Sequence, residues 1–383
     1  TMLLLYFGAA IGGTFATARS AILPAAVDQT TERTEAGVNY LGQKFNVSLR
    51  YALSNFDNAV DSIRWDNAFS APAGIDEGQA ASEPDNSMHQ ISLSGAYRLP
   101  DWGTLAAYLA YGQMTQDQAF LPYTVSNIAT APLPRTSLDG EVDTFDANLS
   151  YRKAINTQLD IKAGYVQHEQ DNQTARENYQ SVTADTSAGS VRSNVPYGFR
   201  QRKWDVNGQY RVTETQSVDL GFVNDSFDRS YQDVENTREQ TLWGRYRIRP
   251  IATLDVQLRL DLGDREGDAY QPFDEISPPE NALMQKYNLA DRSRDKVSIA
   301  LLYEPMAKLS LGLNMDTLQD DYSNSELGLQ TSEQQDLSAD ATYRISEAIS
   351  IQAVLARTRI KSDQAGSESF AEADWWVEND ERM

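Results

Sequence analysis

Residues 253–264 read TLDVQLRLDLGD. Leu254, Val256, Leu258, Leu260 and Leu262 fall on one side of an extended chain; Asp255, Gln257, Arg259 and Asp261 fall on the other. Alternation this strict specifies a β-strand with one apolar and one polar face. The pattern recurs in 308–316 (KLSLGLNMD), where Leu309, Leu311, Leu313 and Met315 alternate with Ser310, Gly312, Asn314 and Asp316. It recurs in 158–165, with Asp160 and Lys162 on the polar side, and in 45–51. About fifteen segments carry it. They lie near 3–12, 33–41, 45–54, 88–98, 104–114, 141–152, 158–168, 200–211, 217–227, 237–248, 253–264, 294–304, 308–319, 332–344 and 349–360. None shows an apolar stripe at helical spacing.

The connections alternate too. Short ones at 42–44, 99–103, 153–157, 212–216, 249–252, 305–307 and 345–348 take turns with long ones at 55–87, 115–140, 169–199, 229–236, 265–293, 320–331 and 361–373. Strands of ~10 residues with tight turns at one end and long polar loops at the other match a transmembrane antiparallel up-and-down β-barrel. A soluble sandwich has shorter strands and irregular Greek-key connections. The expected fold class is therefore all-β: about fifteen strands of a larger barrel, with short periplasmic turns and long extracellular loops.

Tyrosine placement supports this. Tyr40, Tyr97, Tyr151, Tyr210, Tyr303 and Tyr343 each lie on the apolar face a few residues before a short turn, and Tyr246 holds a similar place. Strand propensity explains their presence in strands but not their shared end. A ring of amphipathic aromatics at one height is the girdle of a membrane barrel. The girdle also orients the faces. Apolar side chains point to lipid, and polar ones point to a hydrated lumen. They include Asp160, Lys162, Asp205, Arg245, Arg247, Asp255, Gln257, Arg259 and Asp261. Closure is needed because lipid cannot satisfy an open sheet edge.

Composition narrows the function. The chain has 383 residues, 33 Lys plus Arg, 55 Asp plus Glu, two His, no Cys and a net charge of −22. That charge repels phosphate backbones, so nucleic acid is excluded as a partner. Without cysteine there is no disulfide framework and no CxxCH haem attachment. The hydrophobic fraction of 40% is too high for a disordered chain. No apolar run is long enough for a transmembrane helix. His89 and His168 lie near the long-loop ends of separate strands. They read as polar rim residues; a metal or catalytic site would need further partners. A barrel enzyme would require a nucleophile–base constellation, and none is evident. Asp264, Glu266 and Asp268, or Asp316, Asp320 and Asp321, could offer oxygen ligands to Ca²⁺, but read better as solvated surface.

Residues 2–21 have the apolar stretch of a signal peptide without its basic start, the first basic residue being Arg19. At the other end, 374–383 resembles the start of another hairpin. These features suggest a single partial outer-membrane β-barrel domain over 1–383, truncated at both ends.

The segment 112–124, GQMTQDQAFLPYT, resembles a hallmark stretch of the decahaem-associated outer-membrane proteins, the MtrB/PioB family. YALSNFDN (51–58), WDNAF (65–69), EPDNSMHQISLSGAYRLP (83–100), SLDGEVDT (137–144), KYNLADRSRDKV (286–297), DDYSNSELGLQ (320–330) and DWW (374–376) agree in order. The family's N-terminal cysteine motif has no counterpart here.

The resemblance implies a porin-like sheath that encloses a periplasmic multihaem c-type cytochrome in its lumen, often with a second multihaem cytochrome at the outer face. Electrons then cross the outer membrane through the partner's haems, for extracellular electron transfer such as metal reduction. The chain itself carries no cofactor and is not an enzyme. The lumen charges named above are then cytochrome contacts or solvated pore residues. The alternative function is a solute-conducting outer-membrane porin. The family motif, Gln116, Asp117, Phe120, Leu121, Pro122 and Tyr123, starts a long loop and would serve as loop packing or as a docking or plugging element at the mouth.

Overall fold

The computed structural model describes residues 3–7, 21–66, 74, 77–183, 187–271, 273, 281, 283–322 and 324–383. The described residues form strands and connections, with no helix. The first strands are β1 (Leu3–Phe7), β2 (Ala21–Ala25), β3 (Gln29–Leu41), β4 (Phe45–Asn58), β5 (Ser62–Asp66), β6 (Glu77–Ala81) and β7 (Asn86–Leu99). Then come β8 (Gly103–Gln116), β9 (Gly140–Ala154), β10 (Leu159–Asn172), β11 (Asn178–Thr183), β12 (Ser187–Ser193), β13 (Phe199–Thr213) and β14 (Gln216–Arg229). The last are β15 (Asn236–Ile251), β16 (Leu254–Gly267), β17 (Arg292–Met306), β18 (Leu309–Asp321), β19 (Gly328–Arg344), β20 (Ser350–Gly366) and β21 (Trp375–Arg382).

Fifteen strands make one sheet in the order β3-β4-β7-β8-β9-β10-β13-β14-β15-β16-β17-β18-β19-β20-β21. Every neighbour is the next sheet strand in sequence, and every pair is antiparallel, which is an up-and-down meander. Among the described residues β3 and β21 each have one neighbour.

The strand count matches the expectation, but the membership differs. β1 lies outside the main sheet and pairs with β2; the rest of the segment read over 3–12, and most of 2–21, lies outside the described residues. The fifteenth strand is β21, where the sequence reading saw only the start of a hairpin. It pairs with β20 from Gly366↔Trp375 to Arg359↔Arg382. WDNAF is described only through Asp66, in β5.

Most sheet strands are also longer than the expected ten residues; β19 and β20 each have 17. Hydrophobic alternation fades where a strand leaves lipid, because both faces then meet water, yet the backbone ladder continues. The opening of β19, GLQTSEQQ, is such a segment. The hairpins β5–β6 and β11–β12, within the first and third long loops, escaped the pattern for the same reason.

Short connections at 42–44, 100–102, 155–158, 214–215, 252–253, 307–308 and 345–349 share one end of the sheet. Three register shifts, at Arg211/Thr213, Ile248/Ile251 and Tyr303/Met306, absorb extra residues beside them. Gly103, at φ +103°, closes one turn where a Cβ would lie 2.2 Å from the Arg152 carbonyl oxygen, so only glycine fits.

Burial is inverted relative to a water-soluble sheet. In β16, Leu258, Leu260 and Leu262 are 47%, 45% and 44% exposed. The intervening Asp261 side chain is only 15% exposed. Register extends the apolar face sideways: Leu258 lies opposite Tyr246 and Ile299, and Ile299 opposite Met315. From Leu254 to Leu262 the outward apolar run covers ~26 Å along the strand, or ~20 Å in height at a tilt of ~40°, close to the apolar band of such barrels.

At the other end the long loops are tied in series. Gln118 accepts from the Asp85 amide at 3.0 Å and donates to Asp61 at 2.9 Å, joining the first and second loops. The Gly198 amide donates to Ser230 Oγ at 2.8 Å, joining the third and fourth. Buried Asp233 holds the fifth loop, accepting from Lys286 Nζ at 2.7 Å and the Phe273 amide at 2.8 Å. Leu283, Gln285 and Leu327 exchange backbone bonds between fifth and sixth, and Asn281 reaches Ala371 in the seventh. Beneath them Val234, Leu289, Ala290, Tyr322 and Leu327 form a small buried core.

Candidate functional site

The alternation in β10, β13, β15 and β16 commits their polar residues to one face, and the register joins those faces. Asp160 lies opposite Gln209, Lys162 opposite Asn207, and Gly164 opposite Asp205. Across β14, Gln209 meets Asp219, which meets Arg245. Arg245 then meets Arg259, Arg247 meets Gln257, and Trp243 meets Asp261. Asp255 shares the face through Arg249, which grips it with Nε at 2.8 Å and Nη2 at 3.1 Å. All nine lumen residues expected from sequence therefore line one wall.

The wall has two parts. On β8, β9, β10 and β13, a shallow cavity of ≈ 620 Å³ is lined by Asn148, Arg152, Lys162, Asp205 and Asn207 among others. Arg152 pairs with Asp160 at 3.7 Å, and Asn207 donates to Asp205 at 3.3 Å. On β14, β15 and β16 the centre is Asp219, its side chain 5% exposed. It accepts from Arg245 Nε at 3.1 Å and from Arg247 Nη2 at 3.0 and 3.2 Å. Trp243 lies flat across Gly221, where an added Cβ would meet the indole at 2.4 Å. The Arg259 guanidinium stacks over that ring at 4.4 Å while donating to Asp261 at 2.6–3.1 Å.

Each named arginine thus has a carboxylate in reach, Arg245 and Arg247 sharing that of Asp219. A surface of paired charges with planar groups suits contact with another polar protein surface better than single-sign ion selection. Asp219, Trp243 and Arg152 were not singled out from sequence. Parity alone would have placed them, since they alternate with Leu220, Leu242 and Tyr151.

The turn-end tyrosines lie beside apolar partners across the register. Tyr40 lies opposite Val47, Tyr97 opposite Phe45 and Leu105, Tyr151 opposite Leu105, Tyr210 opposite Leu159, and Tyr303 and Tyr343 opposite Leu254 and Leu309. Phe45 extends the girdle, stacking on Tyr40 at 5.0 Å and meeting Tyr97 at 6.5 Å. Trp102 joins it at a turn, its carbonyl accepting from Tyr151 Oη at 2.5 Å.

The family motif packs loops together. Gln116 ends β8 and Asp117 begins the loop. The Phe120 amide donates to the Thr136 carbonyl at 2.8 Å, and its ring meets Tyr179 of β11 edge-on at 5.7 Å. Tyr123 Oη accepts from the Gln180 amide at 3.1 Å. Leu121 and Pro122 join these two anchors. Burial pushes the Tyr179 phenol above its usual pKa. These are contacts of loop packing.

The other sequence candidates are spread out. His89 bonds to Tyr51 Oη at 2.7 Å on the outward face, whereas His168 pairs with Asp146 on the inner one. Asp316 and Asp320 are taken by Ser298 and Arg294, and Asp264 and Asp268 accept from Ser293 and Asn236. No cluster of three or more metal-ligating side chains occurs among the described residues.

A single-layer meander with apolar side chains outward, charges inward and aromatics at the turn end is the wall of an outer-membrane β-barrel. The chain belongs to the family of outer membrane beta-barrel porins MtrB/PioB, which it matches over residues 5–383. It is 32% identical over 358 residues to Outer membrane protein MtrB of Shewanella baltica, covering 93% of this chain and 51% of that protein. The chain therefore spans about half the length of this relative. Among solved structures it resembles the siderophore receptor PirA from Acinetobacter baumannii, with TM-score 0.53 and 8% identity, covering 92% of this chain and 54% of that one. It also resembles the copper transporter OprC, with TM-score 0.54 and 10% identity, covering 90% and 58%. These two likenesses concern the fold. The protein is a porin-like, integral outer-membrane β-barrel protein.

Proposed function

We propose that residues 1–383 form part of one large barrel that sheathes a periplasmic multihaem c-type cytochrome and holds it in place for electron transfer across the outer membrane. The observation that carries this reading is the inner wall of paired, mixed-sign charges around Asp219 and Trp243. Size agrees. Fifteen strands at ~4.8 Å spacing and ~40° tilt cover ~90 Å of circumference. In a barrel as long as the relative, of which this chain covers 51%, a second arc of similar size would make the barrel ~55–60 Å across and its free lumen ~40 Å, wide enough for a folded domain of ~100 residues. The haems belong to the partner, and the barrel excludes lipid and keeps the haem chain in register without a redox step of its own. A second multihaem cytochrome would dock on the interlocked outer loops.

The family's description as porins favours the second reading, an open solute-conducting channel. Co-purification separates the two. A haem-staining periplasmic protein should travel with the full-length barrel. Its absence, together with ion conductance that added cytochrome leaves unchanged, would replace the sheath with a porin.

A further inference from the structure

Charge pairing on the inner wall is uneven from strand to strand. Around β14, β15 and β16 the arginines already hold carboxylates of the wall itself. On β7 to β10 and β13 the inward cations are Arg98, Arg152, Lys162, Lys203 and Arg211. The inward acids there, among the described residues, are Asp146, Asp160 and Asp205. An excess of cations is unexpected in a chain of net charge −22. The register sets three of them in a row: Arg98 lies opposite Thr104, Thr104 opposite Arg152, and Arg152 opposite Lys162. Arg98 lies one residue before the end of β7, and Lys162 three residues after the start of β10. The row is therefore within ~10 Å of the short connections, at the periplasmic mouth of the wall.

The acids of this patch are engaged. Asp160 reaches Arg152 at 3.7 Å, Asp146 pairs with His168, and Asp205 accepts from Asn207 at 3.3 Å. Asp205 also leans over Gly164, where an added Cβ would collide with its carboxylate. The side chains of Arg98 and Lys162 make no hydrogen bond or ion pair among the described residues, although each lies on a strand paired on both sides. Lys162 opens onto the cavity of ≈ 620 Å³, with Arg152 beside it and the hydroxyl and amide groups of Thr104, Ser150, Asn148 and Asn207 around it. Facing water, an unpaired ammonium is fully hydrated. Under a folded protein that fills the lumen it loses that water, and an anion has to replace it.

We propose that Arg98, Arg152 and Lys162 form a docking patch for an acidic segment of the luminal partner's polypeptide, with one Asp or Glu carboxylate held between Arg152 and Lys162 in the cavity. The inference rests on the sheath reading and deepens it, because it states where the partner carries negative charge and which way it is turned. The arginines at β14 to β16 are satisfied within the wall and ask nothing of a partner. An unmatched row of cations on one side of the mouth selects one rotation of the partner about the barrel axis. A carboxylate in the cavity gains charge-assisted bonds from Arg152 and Lys162. Lying at the entrance, the row also meets an incoming acidic surface first and steers it.

The test uses the full-length barrel with the haem-staining protein that co-purifies with it, treated with a water-soluble carbodiimide, which joins an amine to a carboxylate in contact with it. Peptide mass spectrometry should find Lys162 coupled to an Asp or Glu of the haem protein. K162R keeps the charge without the amine, so it should lose the cross-link and still bind. R152Q/K162Q, shown to be folded by heat-modifiable mobility, should raise the dissociation constant at low salt at least about tenfold, roughly the loss of one charge-assisted contact, and flatten its salt dependence. K308Q, at another periplasmic turn, should change neither. If the haem protein binds but Lys162 couples to none of its carboxylates, or R152Q/K162Q holds it as tightly as wild type, the patch is refuted and the sheath stands. Coupling to a haem propionate alone refutes the acidic segment. If no haem protein travels with the wild-type barrel, sheath and patch fall together.

Discussion

Leu258→Arg tests the orientation of the wall. Leu258 sits four residues above Leu254, ~13 Å along the strand and ~10 Å in height at a tilt of ~40°, inside an apolar band ~25 Å tall. It is therefore near the midplane. It is 47% exposed on the outward face, between Tyr246 and Ile299, with no acid beside it to pair an introduced charge. An arginine at that depth costs ~2–4 kcal/mol, a shift of about 30- to 700-fold in the folding equilibrium. Gln257→Arg places the same side chain one residue away on the inner wall, opposite Arg247 and Ala300. Water reaches it there, and the like-charge neighbour costs at most ~1 kcal/mol. Urea titration in lipid vesicles, with heat-modifiable gel mobility as the readout of folded barrel, should show a large loss for L258R and a small one for Q257R. Equal midpoints, or greater damage from Q257R, would mean that the faces are reversed.

Two further outcomes follow from the contacts. Asp219→Ala strips Arg245 and Arg247 of their shared acceptor and should lower stability by ~1–3 kcal/mol in the same titration; an unchanged midpoint would show that this cluster is not structural. Phe120→Ala removes the edge-on contact with Tyr179, worth ~0.5–1.5 kcal/mol beyond burial. Limited proteolysis should then cut the β11–β12 hairpin faster while gel mobility of the barrel is unchanged, and an unaltered cleavage rate would contradict the loop-packing role.

The wall was legible from sequence because membrane strands must alternate. Leu254 to Leu262 declares both its conformation and its two faces, and parity then puts Asp255, Gln257, Arg259 and Asp261 together on the polar face without any knowledge of neighbours. The turn-end tyrosines were legible for a similar reason: their height is fixed by distance from a short connection. β21 and the hairpins within the loops were not, because both their faces meet water and period two has nothing to separate. The partners of each charge were equally hidden. That Asp219 serves two arginines, or that Arg259 lies on Trp243, depends on which residue of the next strand stands opposite.

Local sequence by itself thus determined strand, face and height. An extended chain has a period of two, and its neighbours along the chain suffice to define it. Only the tertiary structure decided the rest: the register that closes ion pairs across β14, β15 and β16, and the packing of Phe120 on Tyr179 from 59 positions away. Those depend on contacts between segments distant in sequence, and alternation within one strand carries no information about the register of the next.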